Sequence, residues 1–299
     1  AQLESNETAS LEACSEIHNN EEAISDCEIA RDGVIDVVHP NDDTLEEGAE
    51  LTDTPDMHTQ AVVTDVWERA SANFALAIPD DKRISAQRKW YLKHPEYMAR
   101  VVKRAKPFLY YITEEIEKRD MPMELVLLPI VESAFDPFAY SHGRAAGMWQ
   151  FIPGTGKRFG MQQNWWYDGR RDVVASTQGA LDYLTYLNEM FDGNWLHALA
   201  AYNSGEGRVQ RAIKANKRAG KPTDFWNLNL PKETRAYVPK LLALADILKN
   251  KDEYAYAWPE VENVAVIEVV DIGSQVDLAF AAELAGMSLK ELHGLNPGF

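Results

Sequence analysis

Between Thr59 and Asn250 the apolar positions recur at three- and four-residue intervals, a spacing that predicts one helix after another. The first is TQAVVTDVWERASANFALAI, broken by Pro79-Asp80-Asp81. Residues 84–119 read as two more: ISAQRKWYLKH, then YMARVVKRAKPFLYYITEEIEKR, which Pro95 opens in a place suited to a first helical turn. Asp120-Met121-Pro122 separates these from MELVLLPIVES. A Gly-rich, aromatic loop region spans 137–170, after which Asp172 starts DVVASTQGALDYLTYLNEMF, closed by Gly193. NWLHALAAYNSGEGRVQRAIKANKRAG and, past a Pro-containing loop, ETRAYVPKLLALADILKN complete the series. Period-two patterns are absent from 60 to 250, so the fold class is mainly α.

Past residue 263 the period changes. NVAVIEVVDI is β-branched and predicts a strand, while QVDLAFAAELAG and SLKELHGLN predict two short helices. A β-α-α unit ending at NPGF leaves that strand an unpaired edge, so the natural chain is expected to continue, or another segment to pair with it.

Composition alters this picture at one end only. The formal net charge of −17 is uneven: residues 1–57 hold 17 acidic residues against the single Arg31, leaving 30 acids and 29 bases in the remainder. A like-charged segment poor in aromatics is expected to stay solvated, and it argues against nucleic acid as a partner because phosphates would be repelled. Both cysteines, Cys14 and Cys27, lie in that segment. They would close a disulfide in an oxidising compartment, or remain two unrelated thiols. The 299 residues suffice for one large domain or two small ones. No window approaches the roughly 18 unbroken apolar residues of a membrane span. The polar opening AQLESNETAS has no signal-peptide core, so an exported form would be a mature or trimmed chain.

The candidate chemistry begins at LVLLPIVE, an apolar run from Leu125 that ends on Glu132. A carboxyl group among Leu, Ile and Val loses hydration, which disfavours its charged form and raises its pKa. A carboxylic acid still protonated near neutrality can protonate a leaving glycosidic oxygen. The plain alternative is a structural residue at a helix end. Ser133 and Ser141 offer hydroxyls nearby; Gly147-Met148-Trp149-Gln150 offers a glycine, two large apolar surfaces and an amide; Tyr202-Asn203 sets a phenol beside an amide. Aromatic faces with hydrogen-bonding edges are what a saccharide groove requires. Each also has a structural reading, with Trp149 in the core, Asn203 as a helix cap and the glycines as turns. No second acid presents itself: Asp136 precedes Pro137 and reads as a turn residue, Asp168 as a loop anchor and Asp172 as an N-cap.

ESAFDPFAYSHGRAAGMWQFIPGTG, AAYNSGEGRV and ETRAYVPK, in this order, resemble the motifs of the family 1 lytic transglycosylases, and the similarity runs over residues 63–299. Where the wider family usually has Gly-Leu-Met-Gln, this chain has Gly147-Met148-Trp149-Gln150. The resemblance implies a lysozyme-like helical fold that cleaves the β-1,4 bond between N-acetylmuramic acid and N-acetylglucosamine without a cofactor or metal. It makes Glu132 the sole catalytic acid/base and puts Ser133, Ser141, Gly147, Met148, Gln150, Tyr202, Asn203 and Tyr237 along the sugar groove. Residues 263–299, with SLKELHGLNPG as the clearest part, resemble the start of a LysM peptidoglycan-binding module. The implied division is an acidic segment (1–57), a helical extension (58–105), an SLT catalytic domain (106–252) and a partial LysM-like module (260–299). Peptidoglycan strands are the implied partner, met as a monomer in the periplasm. Attachment to the outer membrane would need a lipid anchor outside this chain, whose first residue is Ala. A goose-type lysozyme using water, and a wall-binding protein without activity, are the alternatives.

Overall fold

The computed structural model describes residues 63–299. The acidic segment, both cysteines and the start of the first expected helix lie outside the described residues.

Helices dominate the described residues. α1 (Val66–Ala72) is capped by Asp65, whose carboxylate accepts from Trp67 N at 3.2 Å and from Val261 N at 2.9 Å, fastening the beginning of the described chain to residue 261. α2 (Lys82–Lys93) starts on an Asp81 cap, and α3 (Pro95–Ala105) opens at Pro95 as expected. The long helix expected after Pro95 is two helices, because Lys106-Pro107-Phe108 interrupts it before α4 (Leu109–Glu117). MELVLLPIVES is likewise divided: a 3₁₀ turn over Met123–Leu127 leads into α5 (Leu128–Ser133), whose second residue is Pro129.

α6 (Pro153–Arg158) sits within the loop region, and α7 (Val173–Met190) begins on Asp172, which accepts from Ala175 N at 2.7 Å. Gly205, at φ +84°, separates α8 (Trp195–Ser204) from α9 (Glu206–Arg218). α10 (Lys232–Lys249) is buried along most of its circumference and forms the centre of the body, packing against α2, α5, α8 and the 3₁₀ turn.

Among the described residues β-structure is limited to isolated antiparallel bridges such as Asp65↔Glu262 and Tyr140↔Ala146. The strand expected over 263–272 does not form, and of those residues Ile272 alone holds a bridge position. β-branched residues favour a strand only where a ladder receives them, and here Val264, Val266, Val269 and Val270 stand exposed. The two helices beyond it, α11 (Leu278–Leu284) and α12 (Leu289–Leu295), form as expected and pack on each other. This C-terminal pair leans on the 137–170 region. Asp168 N donates to the Gly298 carbonyl at 2.7 Å, Phe299 lies 5.0 Å from the Tyr167 ring, and His293 stacks on Phe138 at 5.3 Å.

Candidate active site

α5 is short and apolar, with Leu128, Pro129 and Ile130 buried against the 3₁₀ turn and α10. Its last two residues, Glu132 and Ser133, come out at the wall of a cleft of about 1910 Å³. The helix stops because Ala134 (φ 54°) and Phe135 (φ 59°) both take left-handed conformations, which side-chain-bearing residues adopt only at a cost of about 1–3 kcal/mol each. Complete burial of Phe135 holds that turn in place. Ser133 ties the same turn to the opposite loop: its Oγ donates to the Met148 carbonyl at 2.9 Å and accepts from Asp136 N at 3.2 Å.

Glu132 is the perturbed acid of the cleft. Burial raises its pKa from the usual carboxylate range to about 7, Glu233 adds to the rise, and the Tyr237 hydrogen bond and Lys240 oppose it. Tyr237, buried in α10, donates its hydroxyl to Glu132 Oε1. The phenol itself is pushed well above its ordinary pKa by burial and by the neighbouring Glu132, so it stays a donor.

The residues singled out in the sequence divide into two groups. Ser141, Gln150, Tyr202 and Asn203 line the cleft with Glu132, Ser133 and Tyr237. Gly147 and Met148 do not. Met148 is fully buried, as is Trp149, whose indole N–H donates to Thr177 Oγ1 at 3.1 Å; neither presents an apolar face to the cleft. Gly147 has φ +77°, and a Cβ there would meet the Arg170 carbonyl oxygen at 1.9 Å. Its close approach is to the protein's own backbone.

The function of that buried Gly147–Trp149 arch is to aim its neighbours. Gln150 comes next at φ 50°, with its amide donating to the Gly147 carbonyl at 2.8 Å. Tyr202 Oη donates to the Trp149 carbonyl at 2.8 Å, linking α8 to the arch. Asn203 Oδ1 accepts from Thr234 Oγ1 at 2.8 Å, which joins α8 to the first turn of α10 and leaves the amide nitrogen without a protein acceptor among the described residues. Ser141 Oγ accepts from Ala145 N at 3.0 Å and closes the loop between them.

Sequence reasoning missed Arg170, the buried support of this arch. It donates to the Arg144 carbonyl (2.7 Å) and the Phe151 carbonyl (3.1 Å) and pairs with Asp168 at 2.7 Å. It missed Thr234 and Glu233 as well, although both stand in ETRAYVPK one helical turn before Tyr237. Asp136 is the turn residue expected, accepting from Phe138 N at 2.9 Å.

A cleft with one dehydrated acid, a phenol donor on that acid, and amide and hydroxyl edges is an arrangement able to protonate a leaving oxygen. Comparison with known proteins finds two matching domain families. Residues 110–225 match the Transglycosylase SLT domain, and residues 266–299 match the LysM-like domain of lytic transglycosylase MltD. Residues 110–225 therefore belong to the Transglycosylase SLT domain family. The chain is 51% identical over 234 residues to membrane-bound lytic murein transglycosylase D of Escherichia coli (strain K12), covering 78% of this chain and 52% of that protein. It therefore spans about half the length of that relative. A protein of Alteromonas sp. (strain M-1) named for tributyltin chloride resistance is 43% identical over 175 residues, 58% of this chain and 83% of its own. Among solved structures, the 70 kDa soluble lytic transglycosylase of Escherichia coli aligns at a TM-score of 0.39 and 20% identity, covering 58% of this chain and 31% of that one.

Proposed function

We propose that this chain is a lytic transglycosylase that cuts the β-1,4 bond between N-acetylmuramic acid and N-acetylglucosamine in peptidoglycan and leaves a 1,6-anhydromuramic acid end. The observation that carries this reading is the Glu132–Tyr237 pair: a carboxyl group whose pKa lies near neutrality, in a cleft of about 1910 Å³, with a phenol donor upon it. Glu132 gives its proton to the glycosidic oxygen, and the N-acetylglucosamine residue departs with a hydroxyl group. The substrate's own acetamido group shields the cation developing at C1, so no enzyme nucleophile is required. Glu132, now ionised, takes the proton of the muramic acid O6 hydroxyl as that oxygen bonds to C1. No water enters, and the acid is restored for the next cut.

In this scheme Tyr237 orients the carboxyl group and Asn203 meets the acetamido group with the amide nitrogen that Thr234 leaves available. Gln150, Ser141, Ser133 and Tyr202 shape the groove. Replacing Glu132 by Gln keeps the shape and removes the proton; release of soluble muropeptides from purified peptidoglycan should fall by about 10²–10⁴-fold. Digestion at the parental rate would exclude Glu132 as the acid.

One observation favours a second reading, a lysozyme-type hydrolase: the exposed carboxylate of Glu233 lines the same cleft and acts electrostatically on Glu132. A carboxylate there could hold an attacking water. Mass spectrometry of the products separates the two, since a hydrolysed end is heavier than an anhydro end by one water.

The setting proposed is the periplasm. Among the described residues no helix is long and apolar enough to cross a membrane, and the Escherichia coli relative is named membrane-bound. The membrane proposed for this association is the outer membrane. The proposed working unit is a monomer whose LysM-like residues 266–299 adhere to the same polymer.

A further inference from the structure

The cleft extends past the matched SLT residues. Part of its wall is built by α2 and α3, which precede residue 110: Trp90, His94, Tyr97, Arg100 and Arg104 all line it. These side chains run across the junction at His94, the residue that ends α2 and begins α3. The rings brace one another. Trp90 and His94 stack at 4.3 Å with 24° between planes, and Tyr97 meets Trp90 edge-on at 5.4 Å. His94 Nδ1 lies 2.7 Å from the Trp90 carbonyl oxygen, which fixes the imidazole on the indole. All three residues are half-buried, and Trp90 and Tyr97 pack on the hydrophobic core. α10, which carries Tyr237, packs along α2. The aromatic wall is therefore packed directly onto the helix that carries Tyr237.

The end of the stripe is cationic. Arg104 stands 3.9 Å from Asp136, and exposed Arg100 has no acidic partner among the described residues. A preordered aromatic wall suits the apolar face of a sugar ring, and guanidinium groups beside it suit carboxylates. In peptidoglycan these features come together on a muramic acid residue that bears an acidic peptide stem. We infer that Trp90, His94 and Tyr97, with Arg100 and Arg104, form a subsite for a stem-bearing sugar, through which the enzyme prefers glycan still carrying acidic peptides over bare glycan.

This inference deepens the peptidoglycan reading, and the test keeps the two apart. Purified sacculi and sacculi stripped of their stems by an amidase serve as paired substrates for the parent and the Arg100→Gln/Arg104→Gln double variant. Both positions reach solvent, so the double variant should fold. Expected is a parental preference for stem-bearing material that the double variant loses, its kcat/KM on that substrate falling about three- to ten-fold and its rate on stripped glycan unchanged. Trp90→Leu should raise KM on both substrates with kcat retained, and its melting temperature separates lost stacking from lost packing. An unchanged ratio of the two substrates in the double variant would overturn the subsite. If the parent cleaves neither material, the proposed lytic function fails, and cosedimentation of the Glu132→Gln variant with the two materials still decides the subsite.

Discussion

The Tyr237 hydroxyl donates to Glu132 Oε1 across 105 residues of sequence, from the central helix to the end of the short helix that stops at the cleft. Two opposing influences meet on that carboxyl group. Burial raises its pKa to about 7, and the phenol's hydrogen bond, which favours the charged form, holds it from rising further.

Tyr237→Phe should therefore move Glu132 in a defined direction. Without the hydrogen bond the pKa climbs, so the alkaline limb of the pH–rate profile shifts to higher pH. The maximal rate falls by roughly ten-fold as the carboxyl group loses its orientation. In the parent the same limb should descend as pH rises through about 7, because the proton-donating form disappears. Profiles of muropeptide release by both proteins check the shift. A limb that stays in place in Tyr237→Phe would show that the phenol does not govern the acid.

This pairing marks where sequence reasoning reaches and where it stops. Glu132 is legible because an apolar run ends on an acid, a local signal of dehydration. Its phenol partner is not readable from the residues around either one, since α5 meets α10 only through tertiary packing. Met148 shows the opposite failure. A large apolar side chain beside a glycine reads as groove surface, but residue type cannot say which face of a tight loop turns inward, and Met148 is fully buried. Helix starts at Pro95 and Asp172 were legible from first-turn and capping chemistry. The valines of 264–270 misled because strand formation depends on a partner that propensity does not reveal.

Gly147 and Met148 yield a paired prediction. Gly147→Ala combines an unfavourable φ of +77° with a Cβ only 1.9 Å from the Arg170 carbonyl oxygen, so the Arg170-supported arch must shift. The expected cost is about 2–4 kcal/mol of stability, with activity falling alongside it. Met148→Leu conserves volume in a buried site and should cost less than about 1.5 kcal/mol, with KM unchanged because the side chain does not face the cleft. Denaturation curves and peptidoglycan kinetics measured on the same two proteins give the comparison. A raised KM in stable Met148→Leu would restore Met148 to the groove surface.

The displaced pKa of Glu132 also binds stability to pH, with a sign opposite to that of an ion-paired carboxylate. In the folded protein the group keeps its proton up to about 7, while in the unfolded chain it releases it near its ordinary value of 4.5. Between those values the folded state binds more protons, so this contribution is fully present below about 4.5 and is lost as pH rises through 7. Above 7 the folded protein carries a dehydrated anion. Glu132→Gln cannot ionise and escapes that cost, so its stability relative to the parent should grow with pH. Little difference is expected at pH 5, and an advantage of roughly 1–3 kcal/mol at pH 8.5, allowing for the partial solvent contact of Glu132. Guanidinium unfolding of the two proteins at both pH values measures the gap. The variant that loses the proton donor should thus be the sturdier protein in alkali. A gap that is the same at both pH values would mean that the carboxyl group ionises as freely in the cleft as in water, and the dehydrated acid on which the proposed cleavage depends would not exist.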